Sequence, residues 1–326
     1  MEEFNAVDKK VIYELGRNAR QSYKEIAQRT KSKKEIIAYH ITQLINKKII
    51  TKFVPVISLT KLGIYSFKIY LKLHGLSESS EKQMYKELLE NPEVIWIAKS
   101  IGQWDLMLGF YSTDIVYFAN KKNEILSRFS QFIEEYDITM IEDALVFNRD
   151  YLVEKKPDYR KEFIFGGEQK KVQIKKDELE ILSLIRNNGR FLVLDVAKQL
   201  KQDPRTTLAK IRKLEKQEII QGYTAFLDLQ KIGYQLHKLC IYFSTQEQKE
   251  INKVISFIKQ NQYVIHIIKS LGSWELEVEV ESNNIQYVYD YIKELKNNFS
   301  QQIKKIDQVT IIEEPKLEFF PENINN

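Results

Sequence analysis

The stretch KSIGQWDL (Lys99–Leu106) returns 170 residues later as KSLGSWEL (Lys269–Leu276). The same offset aligns Asn18 and Arg20 with Asn188 and Arg190, Ala27 with Ala197, and Ile41 and Leu44 with Ile211 and Leu214. It aligns Ile49-Ile50 with Ile219-Ile220, Lys61 and Gly63 with Lys231 and Gly233, and Phe129-Ser130-Gln131 with Phe299-Ser300-Gln301. Between 8–141 and 178–311, 31 positions are identical without a gap, where chance gives on the order of 10. The period is far longer than a solenoid unit, so the chain is two copies of one module, each in two parts.

The first part of each copy holds three short helical patterns. In DKKVIYELGRNAR, Val11, Ile12 and Leu15 share a face and the pattern breaks at Asn18. SYKEIAQRT follows, with Ser22 as N-cap and Glu25 completing a capping box. KKEIIAYHITQLINKK then buries Ile37, Ile41 and Leu44. The second copy answers with DELEILSLIRNN, VLDVAKQL and DPRTTLAKIRKLEKQ, in which Asp203 is an N-cap, Pro204 sits at N1, and Thr207, Ile211 and Leu214 form the stripe. Three short helices with the last long and basic are the pattern of a helix-turn-helix.

The basic charge is local. Residues 31–48 carry five Lys against one Glu, and residues 201–218 six Lys/Arg against Asp203, Glu215 and Glu218. A recognition helix neutralises phosphates while its first turns reach base edges in the major groove. Opposite the first stripe lie Lys34, Glu35, Ala38, Tyr39 and Thr42, with Lys33 just ahead; opposite the second lie Arg205, Thr206, Leu208, Ala209 and Arg212. Arg205 and Arg212 suit bidentate contacts to guanine, whereas Lys34 and Tyr39 suit the DNA backbone. The competing reading is a solvated basic face on an ordinary helix, and the repetition of the whole trihelical pattern weighs against it. The two faces differ, so one chain could read an asymmetric site, or one head could bind specifically while the other grips phosphate.

Past Gly63 the period changes. YSFKIYLKL reads as a strand, SSEKQMYKELLEN as a helix, EVIWIAKSIGQWDLMLGFYS as two strands about a turn at Gly102, DIVYFANKKNEILSRF as a helix and ITMIEDALVF as a closing strand. That order, βαββαβ, is ferredoxin-like, and the second copy follows it from HKLCIYFS to KIDQVTIIEE. The fold class expected is therefore α+β: two winged or helix-turn-helix DNA-binding domains and two ferredoxin-like domains in tandem. Gly102 and Gly272 sit where backbone freedom is needed, and Trp104 and Trp274 read first as packing anchors. Asp105 and Glu275, carboxylates at a turn in an apolar strand, must face water, pair with a cation or cap backbone N–H groups. A small-molecule amine is one candidate partner, which makes Gly102, Trp104, Asp105, Gly272, Trp274 and Glu275 the candidate effector-contacting residues.

Bulk properties narrow the classes. With 326 residues the chain holds two to four domains, and 43% hydrophobic with 12% aromatic residues is enough for real cores. The single Cys240, in the alternating run KLCIYF, excludes an intrachain disulfide, fits a reducing cytoplasm and reads as a buried strand thiol. The opening MEEFNAVDKK has no apolar core of a secretory signal, and no run is long and apolar enough for a membrane span. There is no phosphate-binding glycine loop, no metal-spaced Cys/His set and no nucleophile triad. The expectation is a cytoplasmic non-enzyme without cofactor or metal. The net charge of +5 adds little.

Taken together, the chain resembles the Lrp/AsnC (leucine-responsive, feast/famine) family of transcriptional regulators. The family's helix-turn-helix pattern is met by Asp8, Val11-Ile12, Asn18, Arg20, Ile26-Ala27, Ile37, Ile41, Leu44 and Ile49-Ile50, and its G-x-[YW]-D signature by Gly102, Trp104 and Asp105. It departs where the family has Ser-Pro opening the recognition helix (Lys33-Lys34 and Asp203-Pro204), Arg before Ile (His40 and Lys210), Gly before the Ile pair (Lys48 and Glu218), and Asp in the second turn (Glu275). The resemblance implies sequence-specific binding of double-stranded DNA, RAM-type ferredoxin-like domains, and an amino acid as effector. Family members usually dimerise through these domains, so the tandem chain is expected to pair its two RAM-type domains internally as a covalent pseudo-dimer, with further homo-oligomers open. Two helix-turn-helices about one DNA turn apart would follow.

The expected boundaries are helix-turn-helix 1–58, RAM-type 59–150, linker 151–174, helix-turn-helix 175–228, RAM-type 229–315 and a surface tail 316–326. KKPDYRKEF reads as linker, while FIFGGEQKKVQI reads either as linker or as a small hairpin at Gly166-Gly167. Two rivals stand beside the regulator. One is a DNA-coating architectural protein with weak sequence preference. The other is an enzyme resembling the sirohaem decarboxylases, a related branch, through His266 and Lys269. Against it, His40, His74 and His237 form no partner set, and Trp96 and Lys99 occupy the matching places in the first copy.

Overall fold

Asn5 opens the first helix by accepting the N–H groups of Val7 and Asp8, and Asp8 answers onto the Asn5 N–H. The computed structural model describes residues 4–153, 162–167 and 171–321. Along the first copy run α1 (Ala6–Arg17), α2 (Tyr23–Thr30), α3 (Lys34–Asn46), β1 (Ile50–Ile57), β2 (Tyr65–Leu73), α4 (Glu78–Glu90), β3 (Val94–Gly102), β4 (Leu106–Ser112), α5 (Ile115–Arg128) and β5 (Ile133–Phe147). A short β6 (Glu162–Gly166) precedes the second copy: α6 (Lys176–Ile185), α7 (Val193–Gln199), α8 (Pro204–Lys216), β7 (Ile220–Leu227), β8 (Gln235–Phe243), α9 (Gln248–Ile258), β9 (Val264–Leu271), β10 (Leu276–Ser282), α10 (Ile285–Asn298) and β11 (Ile303–Leu317). The Ser22–Glu25 capping box and the Asp203 cap with Pro204 at N1 are both in place. The chain divides by kind rather than by copy: one compact unit holds both helix-turn-helices, the other both ferredoxin-like domains.

In the first unit, Val11, Ile12, Leu15 and Ile26 of α1 and α2 pack on the α3 stripe Ile37, Ile41 and Leu44. The turns after α2 and α3 are held by left-handed Lys31 and Lys48 (φ 53° and 55°), repeated at Lys201 and Glu218 (52° and 54°), positions where glycine would carry no Cβ penalty. Each copy's strand is completed by the other's, because β1 pairs antiparallel with β7, Pro55 opposite Tyr223. Around this ribbon the copies exchange identical contacts. Arg20 donates from Nη1 to the carbonyls of Gly189 and Phe191 (3.2 and 3.1 Å) and stacks over the Phe191 ring at 4.0 Å. Arg190 donates to Ala19 and Gln21 and lies over Tyr23 and Phe53. Lys61 and Lys231 close the carbonyls of Gln217 and Lys47 in the same way, at 2.8 and 3.1 Å. The expected linker begins later than 151, because Tyr151 stacks on Tyr234 at 4.8 Å and Leu152 is buried in this core. Residues 154–161 and 168–170 of that stretch lie outside the described residues.

In the second unit the strand orders β5-β2-β4-β3 and β11-β8-β10-β9 are the two ferredoxin-like sheets. Pairing of β3 with β11 and of β9 with β5 joins them, so that eight strands form a closed circuit. The joints explain the repeated glycines. A Cβ on Gly102 (φ 132°) would lie 2.4 Å from the Gln308 carbonyl oxygen, and one on Gly272 2.7 Å from that of Ile138. At Gly272 it is close approach of the other copy's strand, rather than turn geometry, that demands glycine. Of the linker and the hairpin left open at Gly166-Gly167, the described residues show β6 as a strand ending there, with Gly167 donating to the Glu142 carbonyl at 2.7 Å. Nor does the chain leave the fold at Pro315. Lys316 and Leu317 still pair with Ile97 and Trp96, and Phe320 is fully buried; residues 322–326 lie outside the described residues.

The centre of this unit is aromatic and charged. Trp104 and Trp274 meet at 6.2 Å between ring centroids, with Tyr70 4.7 Å from Trp274. Beside them Glu277 is fully buried and saturated. Its Oε2 accepts Lys68 and Lys238 Nζ at 2.6 Å each, and its Oε1 accepts the Tyr70 hydroxyl at 2.6 Å and Trp274 Nε1 at 3.2 Å. Lys238 also pairs with Glu279 at 2.8 Å, and Glu279 in turn holds His266 Nδ1. Burial alone would raise the Glu277 pKa, but the Lys238 and Lys68 ammoniums prevail and hold it at about 2.

Two consequences can be measured. Arg20→Ala and Arg190→Ala should each destabilise the chain by about 1.5–3 kcal/mol in urea unfolding, the scale of hydrogen bonds from a charged donor; an unchanged midpoint would remove the clasp from the account. Because the Glu277 pKa is depressed on folding, its contribution is complete above the ordinary carboxylate range and is lost as the pH falls towards 2. Thermal unfolding followed from pH 6 to 2 should show the melting temperature dropping below about pH 4.5, by on the order of 3 kcal/mol in stability, and Glu277→Gln should flatten that dependence.

Candidate nucleic-acid interface

The stripes that bury α3 and α8 fix which side chains remain outside. Lys33, Lys34, Glu35, Tyr39 and Thr42 are exposed in the first copy and Arg205, Thr206, Ala209 and Arg212 in the second; Ala38 and Leu208 are half-buried. All eleven residues expected on DNA-facing surfaces therefore lie on the open sides of the two helices. Tyr39 is the most exposed aromatic among the described residues, at 61%, while the Thr42 hydroxyl is turned back onto the Ala38 carbonyl at 2.9 Å.

The electrostatics of the two faces diverge. Lys210, counted in the basic stretch, is held by Asp177 of α6 and by Gln202, and that bond draws the Asp177 carboxyl below its usual range. Lys213 is paired with Glu178 at 2.7 Å. Arg205 and Arg212 carry no ion pair among the described residues, so the outer face of α8 keeps both its guanidiniums available. At its N-terminus the Asp203 carboxylate already accepts the Arg205 and Thr206 N–H groups at 2.8 and 3.1 Å. In the first copy His40, at the position of Lys210, is likewise tied to α1 through Asp8 at 2.7 Å. Lys33 provides no side-chain cap there, leaving the first N–H groups of α3 beside two lysines, an arrangement suited to phosphate. The preceding helices differ too. Ser22 and Lys24 start α2, whereas Leu192 and Leu194 stand 64% and 65% exposed at the start of α7.

The candidate effector residues have other employment. Trp104 and Trp274 are 2% and 0% exposed and serve as the packing anchors already described. Asp105 accepts the Leu73 N–H at 2.8 Å and Lys72 Nζ at 3.0 Å; Glu275 accepts the Phe243 N–H at 3.1 Å and Gln246 Nε2 at 3.2 Å. Of the three fates open to a carboxylate at this turn, both copies use the backbone cap and the first adds a cation. Gly102 and Gly272 admit a neighbouring strand. The structure thus brings these six residues into the framework of the second unit and engages both carboxylates there, while the buried Trp104 indole N–H has no hydrogen-bond acceptor among the described residues. His266 and Lys269, the enzyme candidates, are bonded to Glu279 and to Asp143 (3.0 Å).

Two roles were not foreseen from the sequence: the clasp that Arg20 and Arg190 make across the copies, and the buried charges around Glu277. The signal for the clasp was present in the exact repetition of Asn18-x-Arg20 as Asn188-x-Arg190. For the charges only Lys68 and Lys238 repeat; their acidic partners occur in one copy alone.

No family model matches the chain. It is 24% identical over 137 residues to an HTH-type transcriptional regulator of Pyrococcus furiosus, a match covering 42% of this chain and 88% of that protein. A second regulator from the same organism is 27% identical over 135 residues, covering 41% and 84%. Such a match corresponds to about one module of the two. Over 98% of its length the fold matches that of the siroheme decarboxylase NirDL, with a TM-score of 0.62, 13% identity and 94% of that chain covered; at that identity the likeness is one of architecture. The chain is accordingly a homologue of HTH-type transcriptional regulators, matched over about the length of one module, and its own sequence carries that module twice.

Proposed function

We infer that the protein is a sequence-specific regulator that binds double-stranded DNA through α3 and α8, the two halves of one chain each supplying a recognition helix. The observation that carries this reading is the pair of open, cationic recognition-helix faces on a single unit, in which Arg205 and Arg212 are held out without ion-pair partners among the described residues while neighbouring Lys210 and Lys213 are tied down. Guanidiniums on the outer face of a recognition helix match the N7 and O6 acceptors of guanine. The first copy, with Lys33, Lys34 and an uncapped helix start, is fitted to phosphate. The target is accordingly an asymmetric site, read for sequence by the second copy and gripped by the first. An effector would act elsewhere than on the Asp105 and Glu275 carboxylates, whose oxygens already serve strand N–H groups.

Selection from a random DNA pool, followed by titration of the winning and scrambled duplexes at several salt concentrations, tests the reading. Arg205→Ala and Arg212→Ala should each lower affinity for the selected site by about 1–3 kcal/mol while leaving scrambled DNA much less affected. Lys33→Ala should weaken both duplexes alike and reduce the salt slope by about one. Equal losses on every duplex for all three variants would favour an architectural coating protein, and no binding at low salt would end the proposal.

The whole-chain likeness in fold to NirDL favours a second reading, a tetrapyrrole-processing enzyme. Its candidate residues His266 and Lys269 are engaged with Glu279 and Asp143. Titration of sirohaem with the protein should leave the absorbance spectrum unchanged; a saturable Soret shift abolished by His266→Ala, together with release of a decarboxylated product, would favour the enzyme reading instead.

A further inference from the structure

The buried charges of the ferredoxin-like unit are distributed unequally between two otherwise similar copies. The first copy contributes Lys68 and Tyr70; the second contributes Lys238, Glu277, Glu279 and His266. Under the repeat, Glu277 and Glu279 correspond to Met107 and Gly109, and Tyr70 corresponds to Cys240. Shape follows the same division. In the first copy Trp96 lies over Gly109, where a Cβ would come within 2.8 Å of the Trp96 Cβ, while in the second the matching strand pair is His266 opposite Glu279. Glu277 accepts the ammonium of each copy at 2.6 Å together with the first copy's phenol and the second copy's indole. With its oxygens thus filled, it is the joint between the copies.

We propose that this network is a pairing code, by which a first-copy RAM-type domain accepts a second-copy domain as its partner and rejects another first-copy domain. Two first copies face to face would bury two Lys68 ammoniums with methionine and glycine where the carboxylates should be. Two second copies would set two Glu277 and two Glu279 against two Lys238 and two His266, with no Lys68 for either Glu277, and would trade the Tyr70 phenol for a second Cys240 thiol. A buried ion without its counter-charge disfavours such pairs by at least about a hundredfold. The unwanted pairing is thereby penalised, rather than the wanted one merely favoured. The partner that fits each face is the other half of this chain, taken from the same molecule or, by exchange, from a second one.

The test uses full-length chains with paired cysteines and a short bis-maleimide, after refolding at high protein concentration. Ile101 and Thr310 are strand partners across the copies, so Ile101→Cys/Thr310→Cys reports unlike pairing. Met140 is the first-copy counterpart of Thr310, so Ile101→Cys/Met140→Cys yields a between-chain product only when two first copies meet. With the charges intact the first reporter should cross-link and the second should give no between-chain product. In a Lys68→Met/Lys238→Met/Glu277→Met/Glu279→Met background, where apolar side chains of similar volume replace the whole ion set, the second reporter should give at least about ten times more between-chain product. The milder Lys68→Met/Glu277→Met background, which keeps Lys238 with Glu279, should move in the same direction and serves if the fourfold variant does not refold. Equal yields with and without the charges, whether both absent or both high, would show that the tether or the shape selects the partner and would overturn the code.

Discussion

A strand edge must be paired, covered or made repellent, and neither half of this chain can do that alone. In the helix-turn-helix unit β1 finds its partner in β7, and in the ferredoxin-like unit β3 finds β11 and β9 finds β5. The remaining structure is arranged around those exchanges. Arg20 and Arg190 satisfy carbonyls on the opposite copy, Lys61 and Lys231 do the same at the ends of the ribbon, and Gly102 and Gly272 give up their side chains so that a foreign carbonyl can approach. Most of these residues are the same in both copies because each sits at a contact related by the pseudo-two-fold exchange.

Away from those contacts the copies have diverged, and the divergence falls where a symmetric dimer could not accommodate it. A homodimer must read both half-sites with one recognition helix and fill both halves of its interface with one set of side chains. Joining the copies in one chain lifts that constraint. It permits Lys33-Lys34 on one face and Asp203-Pro204-Arg205 on the other. It also permits a core in which one side supplies the carboxylates and the other the phenol.

The fold was largely legible in the sequence because it rests on local signals: periodicities of 3.6 and 2, capping residues such as Ser22 and Asp203, and an offset that doubles every assignment. The open faces of α3 and α8 followed from the same periodicity. What could not be read was the fate of polar groups whose partners lie far along the chain. Lys210 and Lys213 count as phosphate-binding charge until Asp177 and Glu178 are seen to hold them. Asp105 suggests a ligand until the Leu73 N–H is found against it. Trp104 and Trp274 were both readable as anchors from their size, but their meeting with each other and with Tyr70 was not. Conversely, Phe320 lies past a proline in a polar tail and offers no local pattern by which to foresee its burial.

The exchange of strands between copies also sets a timetable for synthesis. Pairs such as Pro55 with Tyr223, or Lys68 with Glu277, are separated by most of a module or more, and contacts of such long range form late and slowly. While the ribosome is still making the second half, the first half is already outside the exit tunnel with open strand edges and a lysine whose counter-ion has not been translated. The nascent first copy is therefore a natural client for chaperones, and the seconds before its sequel emerges are when this polypeptide is most exposed to aggregation.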